Sequence, residues 1–452
     1  YSILHLVGSF KKEELMNFRQ WGSPTPGHPE LEPEKGVENT SGPLGMGHSF
    51  AVGAAIAEKF LTQRFGDWMS HTIYTYVSDG GIQEEISHST ARMAGHLGLG
   101  NLVMFFDSND VQLSTMTNEV TCEDTAKRYE SWHWHVITID GHDHEQIRNA
   151  LKEANEETEK PTLIIGRTHM GKGAVDENGN SFEHQVSTHG KPLSKAGASF
   201  EKTVEKLGGD PENPFKVYPE VAEYYKKVTE TKREEARKKK EIQKQWEKDN
   251  PEMAKKLEKF LKLDVSDFDF DSLQPDENDA TRNSSGYVLS KLVNNVENLI
   301  VASADLSGSD KTAGYLKGTK AFQKGDFSGA FLQVGVSELT MAAIMNGMAL
   351  HGGVIPACGT FFVFSDYMKP AVRLAALMEL PVIYIWSHDS FRVGEDGPTH
   401  QPVEQEAQIR LMEQMKNHSE KNSFLALRPA DSAETAAAWK MALENLSSPT
   451  GL

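Results

Sequence analysis

With 452 residues, 38% of them hydrophobic, the chain can fill two or three cores, since domains run to about 100–200 residues each. A formal charge of -18 sets it against nucleic-acid backbones, although a local cluster of Arg, His and helix N-termini can still hold a small phosphorylated substrate. Cys122 and Cys358 are too far apart in sequence for a metal-ligand motif, and no apolar run nears the roughly 18 residues of a membrane span, so a reducing, cytoplasmic setting is expected, with no membrane segment and no nucleic-acid partner.

The opening residues 1–6 have neither an initiator Met nor the order of a signal peptide, and read as the middle of a protein. A helical pattern over 46–65 follows a Gly-rich turn. Short apolar runs at 71–78, 101–106, 134–139 and 162–165 then read as strands, separated by helical segments at 86–97 and 144–157. That rhythm predicts a parallel α/β sheet whose polar strand ends gather on one edge, where ligands sit in such sheets. Residues 218–263 are charged and read as a connecting helix, with the basic cluster 237–240 as a solvated face; 264–277, acidic and containing Pro275, read as a linker. A second alternation begins near Arg282, with strands at 299–303, 331–336, 382–387 and 424–427 and helices at 340–351 and 367–378. The chain is expected to stop after a helix, one strand short.

The sharpest chemical signal is Ser78-Asp79-Gly80 closing one strand and Asp107-Ser108-Asn109-Asp110-Val111 closing the next, with Asp79 and Asn109 30 residues apart. One strand–helix–strand unit of that length sets a carboxylate beside an amide oxygen, hard donors that suit Mg²⁺ when phosphate oxygens complete the octahedron. Gly80 and Gly81 would let backbone N–H groups approach a diphosphate. Asp-Gly after a strand is equally an ordinary turn. His133 and His135 alternate as on a strand and could suggest zinc.

These motifs resemble the thiamine diphosphate signature, and their surroundings are closely similar to transketolases: Gly27-His28-Pro29-Glu30, Gly42-Pro43-Leu44-Gly45, Ile139-Asp140-Gly141-His142-Asp143, Ser303-Ala304-Asp305-Leu306, and His388-Asp389-Ser390 running on to Gly394-Glu395-Asp396-Gly397-Pro398-Thr399-His400-Gln401-Pro402. Trp134-His135-Val136-Ile137 belongs to the same family-like text, so the resemblance implies a structural role for His135 in place of zinc. The resemblance covers essentially the whole chain. It implies two successive parallel-sheet α/β domains of the thiamine diphosphate-binding fold: a diphosphate-binding domain over 1–217, a helical connector and linker over 218–277, and a pyrimidine-binding domain over 278–452. It further implies a homodimer with active sites at the subunit interface, and missing segments at both ends, including a third domain.

By the same resemblance, Asp79, Asn109 and the Val111 carbonyl would ligate Mg²⁺, Ca²⁺ or another divalent ion. Gly80 and His189 would touch the diphosphate, Leu44 and Val111 would pack the cofactor, and Gly42, Glu84, Asp305 and Tyr367 would complete its site, with Phe361 and Phe364 stacking on the aminopyrimidine. Glu338 would face a nitrogen of that ring and favour the imino tautomer that takes the proton from the reactive carbon. His28, His189 and His400 would contact the donor sugar and Asp396 a neighbouring hydroxyl, while His388, Arg282 and Ser309 would surround the acceptor and its phosphate. The implied reaction moves a two-carbon ketol unit from a ketose phosphate such as xylulose 5-phosphate to an aldose phosphate such as ribose 5-phosphate or erythrose 4-phosphate. Two alternatives stand beside it, a dihydroxyacetone synthase-like transferase and a non-catalytic binding module. Three departures from the family text accompany it: Ser78 in place of Gly, Ser337 before the glutamate, and Leu339-Thr340 after it.

Overall fold

The computed structural model describes residues 1–452, the side chains of residues 391 and 392 excepted. Two compact units are interleaved along the chain, the first comprising Tyr1–Gly45, Tyr74–His88 and Val103–Ile242, the second Met46–Ile73, Ser89–Leu102 and Gln243–Leu452.

The first unit is built on a sheet of order β1-β2-β4-β3, with β1 Ile73–Ser78, β2 Leu102–Ser108, β3 His135–Asp140 and β4 Thr162–Arg167. β4 pairs in parallel with both β2 and β3, Ile164 opposing Phe105 on one side and Ile137 on the other. The helix His144–Glu156 lays Ala150 and Ala154 on this sheet against Val103, Ile139 and Ile164. Asp143 starts that helix by accepting the N–H groups of Glu145 and Gln146, which satisfies two donors that have no partner inside the first turn. His135 Nε2 lies 2.9 Å from Glu153 Oε1 on the same helix, which ties the strand to it.

In the second unit the sheet order is β6-β5-β7-β8-β10-β9, from β5 Leu299–Ser303, β6 Phe331–Gln333, β7 Ile355–Phe361, β8 Ile383–Ser387, β9 Leu425–Ala426 and β10 Thr450–Gly451. Its registered pairings are all parallel. β7, buried at every position, is a strand that the sequence reading passed over, because Pro356 and Gly359 blur its apolar run. β10 also corrects an expectation: the last residues already form a strand, between β8 and β9. The 331–336 run yields only three strand residues, and the helix that follows starts at Glu338, not at Thr340.

That helix, Glu338–His351, crosses Met46–Phe65 with almost no space between backbones. A Cβ on Gly53 would fall 2.1 Å from the Ile344 carbonyl oxygen, and one on Gly347 2.1 Å from that of Phe50. Only glycine permits such an approach. Arg64 closes the end of the first helix, its guanidinium 3.5 Å above the Phe60 ring and donating to the carbonyls of Phe327, Ser328 and Gly329.

The connector is two helices, Pro219–Asp249 and Pro251–Lys262, because Pro251 lacks the N–H that would continue the first. Residues 237–240 are exposed, as a solvated face requires. No helix among the described residues is long and apolar enough to cross a membrane.

Candidate active site

β1 ends at Ser78, whose hydroxyl accepts the Gly81 N–H at 3.3 Å and so caps the short helix Asp79–Gln83. The serine therefore has a local job where the resemblance leads one to look for Gly. Asp79 leaves the strand at the carboxyl edge of the sheet, 5% exposed, and its Oδ2 accepts the N–H groups of Asn109 at 2.9 Å and Asp110 at 3.1 Å. Asn109 Oδ1 in turn accepts the Val111 N–H at 3.1 Å. Burial pushes the Asp79 carboxyl up to about 6, with Asp110 and Asp107 adding to the rise and the two N–H donors opposing it. A carboxylate so poorly compensated gains from a nearby divalent cation, and the amide oxygen and the Val111 carbonyl are donors of the same hard type. Among the described residues no three His, Cys, Asp or Glu are grouped to hold a metal, so a cation here would rest on one carboxylate plus neutral and ligand oxygens.

The glycines in this region leave little room for a side chain. Gly80 and Gly81 do not adopt positive φ; a Cβ on Gly80 would stand 3.3 Å from Leu44 Cδ1, and one on Gly81 3.1 Å from Val77 Cγ2. Gly45, at φ 81°, turns its loop against the next segment so closely that a Cβ would meet Ile86 Cγ2 at 2.3 Å and Glu84 Cβ at 3.1 Å. A Cβ on Gly42 would lie 3.4 Å from the His28 ring. His28, Gly42, Leu44, Gly80 and Glu84 are thus drawn to the edge that carries Asp79, and Leu44 stays half exposed and free to cover a ligand. His189 arrives separately, on a loop whose Gly190 faces Leu113; its Nδ1 is buried without a hydrogen-bond partner, a nitrogen suited to a ligand oxygen.

In the second unit the chain runs from β5 outward to β6 and returns past β5 to β7, so the crevice beyond β5 and β7 is the topological switch point where α/β sheets bind ligands. Asp305, at φ 63°, follows β5; Phe361 ends β7. The Phe361 and Phe364 rings stack at 5.9 Å and 10°, and Tyr367 continues the row 6.0 Å from Phe364. His400 stands edge-on to Phe364 at 5.5 Å. Ser309 sits on a turn pinned by buried Asp310, which accepts from Ser303 Oγ at 2.7 Å and from the Thr312 N–H at 2.9 Å.

His388 follows β8 in the left-handed conformation, φ 57°, with its ring 3.7 Å from that of Phe361. Its Nε2 is 2.8 Å from Arg282 Nη1 and its Nδ1 2.8 Å from Ser387 Oγ. A guanidinium only donates, so Nε2 accepts and Nδ1 carries the proton of a neutral imidazole. Burial, and then the Arg282 charge, lower its pKa and favour that form. Arg282, His388 and Asp396 line a cavity of about 500 Å³, along with Asp389, Ser390 and Arg428, which the sequence reading did not single out as site residues. Asp305, Ser309, Tyr367 and His400 lie outside its lining.

Glu338 opens its helix half-buried, and burial raises its pKa. Its carboxylate accepts its own backbone N–H and has no side-chain partner among the described residues. The loop before it is fixed by Arg92 Nη2, donating to the Val334 carbonyl at 3.2 Å, and the substituted Thr340 bonds the Ser89 hydroxyl. The site's tethers, Arg92 and Asp310 among them, left no sequence signal beyond a polar residue inside an apolar stretch.

Comparison with known proteins gives two family matches, to the transketolase thiamine diphosphate binding domain over residues 1–265 and to the transketolase pyrimidine binding domain over 278–452. Similar curated proteins include the transketolase of Halalkalibacterium halodurans, 42% identical with all of this chain and 66% of the relative aligned, and that of Bacillus subtilis, 41% identical with 67% of the relative aligned. Among solved structures, transketolase from Leishmania mexicana matches with a TM-score of 0.91 at 33% identity, over 99% of this chain and 66% of that one. A Pichia stipitis transketolase in complex with sedoheptulose 7-phosphate matches at 0.89 and 35% identity, over the same shares. The chain spans about two thirds of the length of these relatives.

Proposed function

Since this chain belongs to the transketolase family, we propose that it reversibly transfers two-carbon ketol groups from a ketose phosphate to an aldose phosphate, using thiamine diphosphate and a divalent cation. The observation that carries this reading is the buried Asp79 carboxylate, bound by the Asn109 and Asp110 N–H groups at one sheet edge, its pKa raised by burial and its charge one that a divalent cation would stabilise. The donor set fits the metal, and the unpartnered His189 Nδ1 fits a diphosphate oxygen.

When bound, thiamine diphosphate would supply the nucleophilic carbon and the electron sink that cleavage of the sugar C2–C3 bond requires. The chain's residues do the rest. Asp79, Asn109 and the Val111 carbonyl hold the cation; Gly42, Leu44, Gly80 and Glu84 shape the diphosphate edge; Asp305, Phe361, Phe364 and Tyr367 seat the pyrimidine ring. Glu338, half-buried with its pKa raised, holds a proton at a ring nitrogen. His28, His400 and Asp396 bind donor hydroxyls, and His388, Arg282 and Ser309 receive the acceptor, the Arg282 fork taking its phosphate in two parallel hydrogen bonds. A homodimer with active sites at the subunit interface and a cytoplasmic setting belong to the same proposal, as does the division at 217/218 and 277/278.

The test is removal and return of cofactor and metal. Protein stripped of both is expected to lose ketol transfer from xylulose 5-phosphate to ribose 5-phosphate and to regain it when thiamine diphosphate and Mg²⁺ are restored. Activity that survives thorough stripping refutes the mechanism.

A further inference from the structure

Three arginines line the cavity beside His388, Arg282, Arg410 and Arg428, and they are not equivalent. Arg282 meets only the His388 ring and makes no ion pair among the described residues. Arg428, just beyond β9, engages all three of its nitrogens: Nε donates to Asp389 Oδ2 at 2.8 Å, Nη2 to the Asp389 carbonyl at 3.1 Å, and Nη1 to Glu406 Oε2 at 2.6 Å. Arg428 is paired with Asp389 and shares Glu406 with Arg410, whose Nε donates to Glu406 Oε1 at 3.1 Å, so among the three arginines it is Arg282, with no ion pair among the described residues, that is left for a substrate phosphate. Its hydrogen bonds instead converge on residue 389, the residue directly after a non-glycine held at positive φ. Such a backbone persists only where its surroundings over-determine it. The Arg428 fork supplies that constraint, gripping the Asp389 backbone and side chain together while Glu406, near the start of helix Gln405–Gln414, anchors its other face.

We infer that Arg428 is a positioning residue for His388, acting through Asp389 and not through the substrate. The inference rests on the reading of His388 as a substrate-binding group. A planar fork is required, because the three donors of a lysine ammonium sit on one nitrogen in no fixed plane and cannot reach Asp389 Oδ2, its carbonyl and Glu406 together in this geometry.

The experiment compares Arg428→Lys, Arg428→Met and Asp389→Ala in the full-length protein with thiamine diphosphate and Mg²⁺. Both arginine variants are expected to lose about 10–100-fold in kcat/KM, with KM for the aldose phosphate raised and thiamine diphosphate affinity by calorimetry unchanged, since a misplaced group of about 1 Å costs on that order. The double variant Arg428→Met/Asp389→Ala should lose no more than Arg428→Met alone, as both remove one grip. Parent-like kinetics in Arg428→Lys, additive losses, or a parallel fall in cofactor affinity would overturn the inference. If Arg428→Met does not fold, Asp389→Ala, which removes the acceptor of the Arg428 Nε–H from the other side, decides the matter by the same readouts. A parent without ketol transfer sinks the functional reading alone; the His388 imidazole resonance, assigned by its loss in His388→Gln, then shifts in both arginine variants if Arg428 holds the ring and stays put if it does not.

Discussion

Replacing Gly347 by Ala sets two physical effects of opposite sign against each other. Helix propensity favours Ala by about 1 kcal/mol in a helix interior. Packing opposes it: the new methyl would lie 2.1 Å from the Phe50 carbonyl oxygen and 2.6 Å from the Phe50 Cα, where ordinary contact begins at 3.4 Å. The obstacle is backbone in a buried helix, so it cannot swing aside as a side-chain tip would. The two helices must separate by roughly 1 Å, and overpacking of this kind costs typically about 1–3 kcal/mol. With the upper end applying here, net destabilisation is about 2 kcal/mol, read as a lower urea midpoint at unchanged slope. Because Glu338 begins the displaced helix, turnover should also fall, by up to about 100-fold for a shift of that size. A midpoint that rises, as propensity alone demands, refutes the packing argument; Gly53→Ala, whose methyl would meet the Ile344 carbonyl oxygen at 2.1 Å, offers an independent repeat.

Glu338→Gln is expected to cut kcat by about 10²–10⁴-fold, the usual worth of a positioned proton-transfer group, with metal and cofactor affinity little changed; parent-like turnover removes the assigned role. The same substitution should stabilise the ligand-free protein near neutral pH. Burial raises the folded-state pKa of Glu338, so its stabilising contribution is present below the unfolded value of about 4.3 and is lost as pH rises through the folded value. Thermal melts of the two proteins should therefore converge on acidification, and a Gln variant less stable at neutral pH contradicts the sign. Asp79→Asn keeps the acceptor for the Asn109 and Asp110 N–H groups but removes the charge, so it should weaken Mg²⁺-dependent binding of thiamine diphosphate by tenfold or more in a calorimetric titration while the fold survives. Unchanged affinity would dismiss Asp79 as a ligand.

Local sequence carried much of the architecture. Apolar runs of strand length, helical periodicity between them and the Asp79-to-Asn109 interval each depend on residues within one strand–helix–strand unit, so they can be read without knowing the fold. β7 escaped because a strand buried on both faces has no alternation, and its Pro356 and Gly359 resemble punctuation. The break at Asn250-Pro251 escaped for a plainer reason: charge continuity hid a proline that begins a new helix.

What the sequence determined by itself was the chemistry available: a carboxylate and an amide at neighbouring strand ends, a glutamate opening an apolar helix, and a histidine-rich loop after a buried strand. The tertiary structure alone decided which of these meet. Arg282 reaches His388 across 106 residues, Arg428 closes on Asp389 across 39, and Gly53 admits the Ile344 backbone from the far half of the chain. Contacts of that kind follow from how layers of helix and sheet fill space, and a residue's own neighbours in sequence carry no record of what will be packed against it.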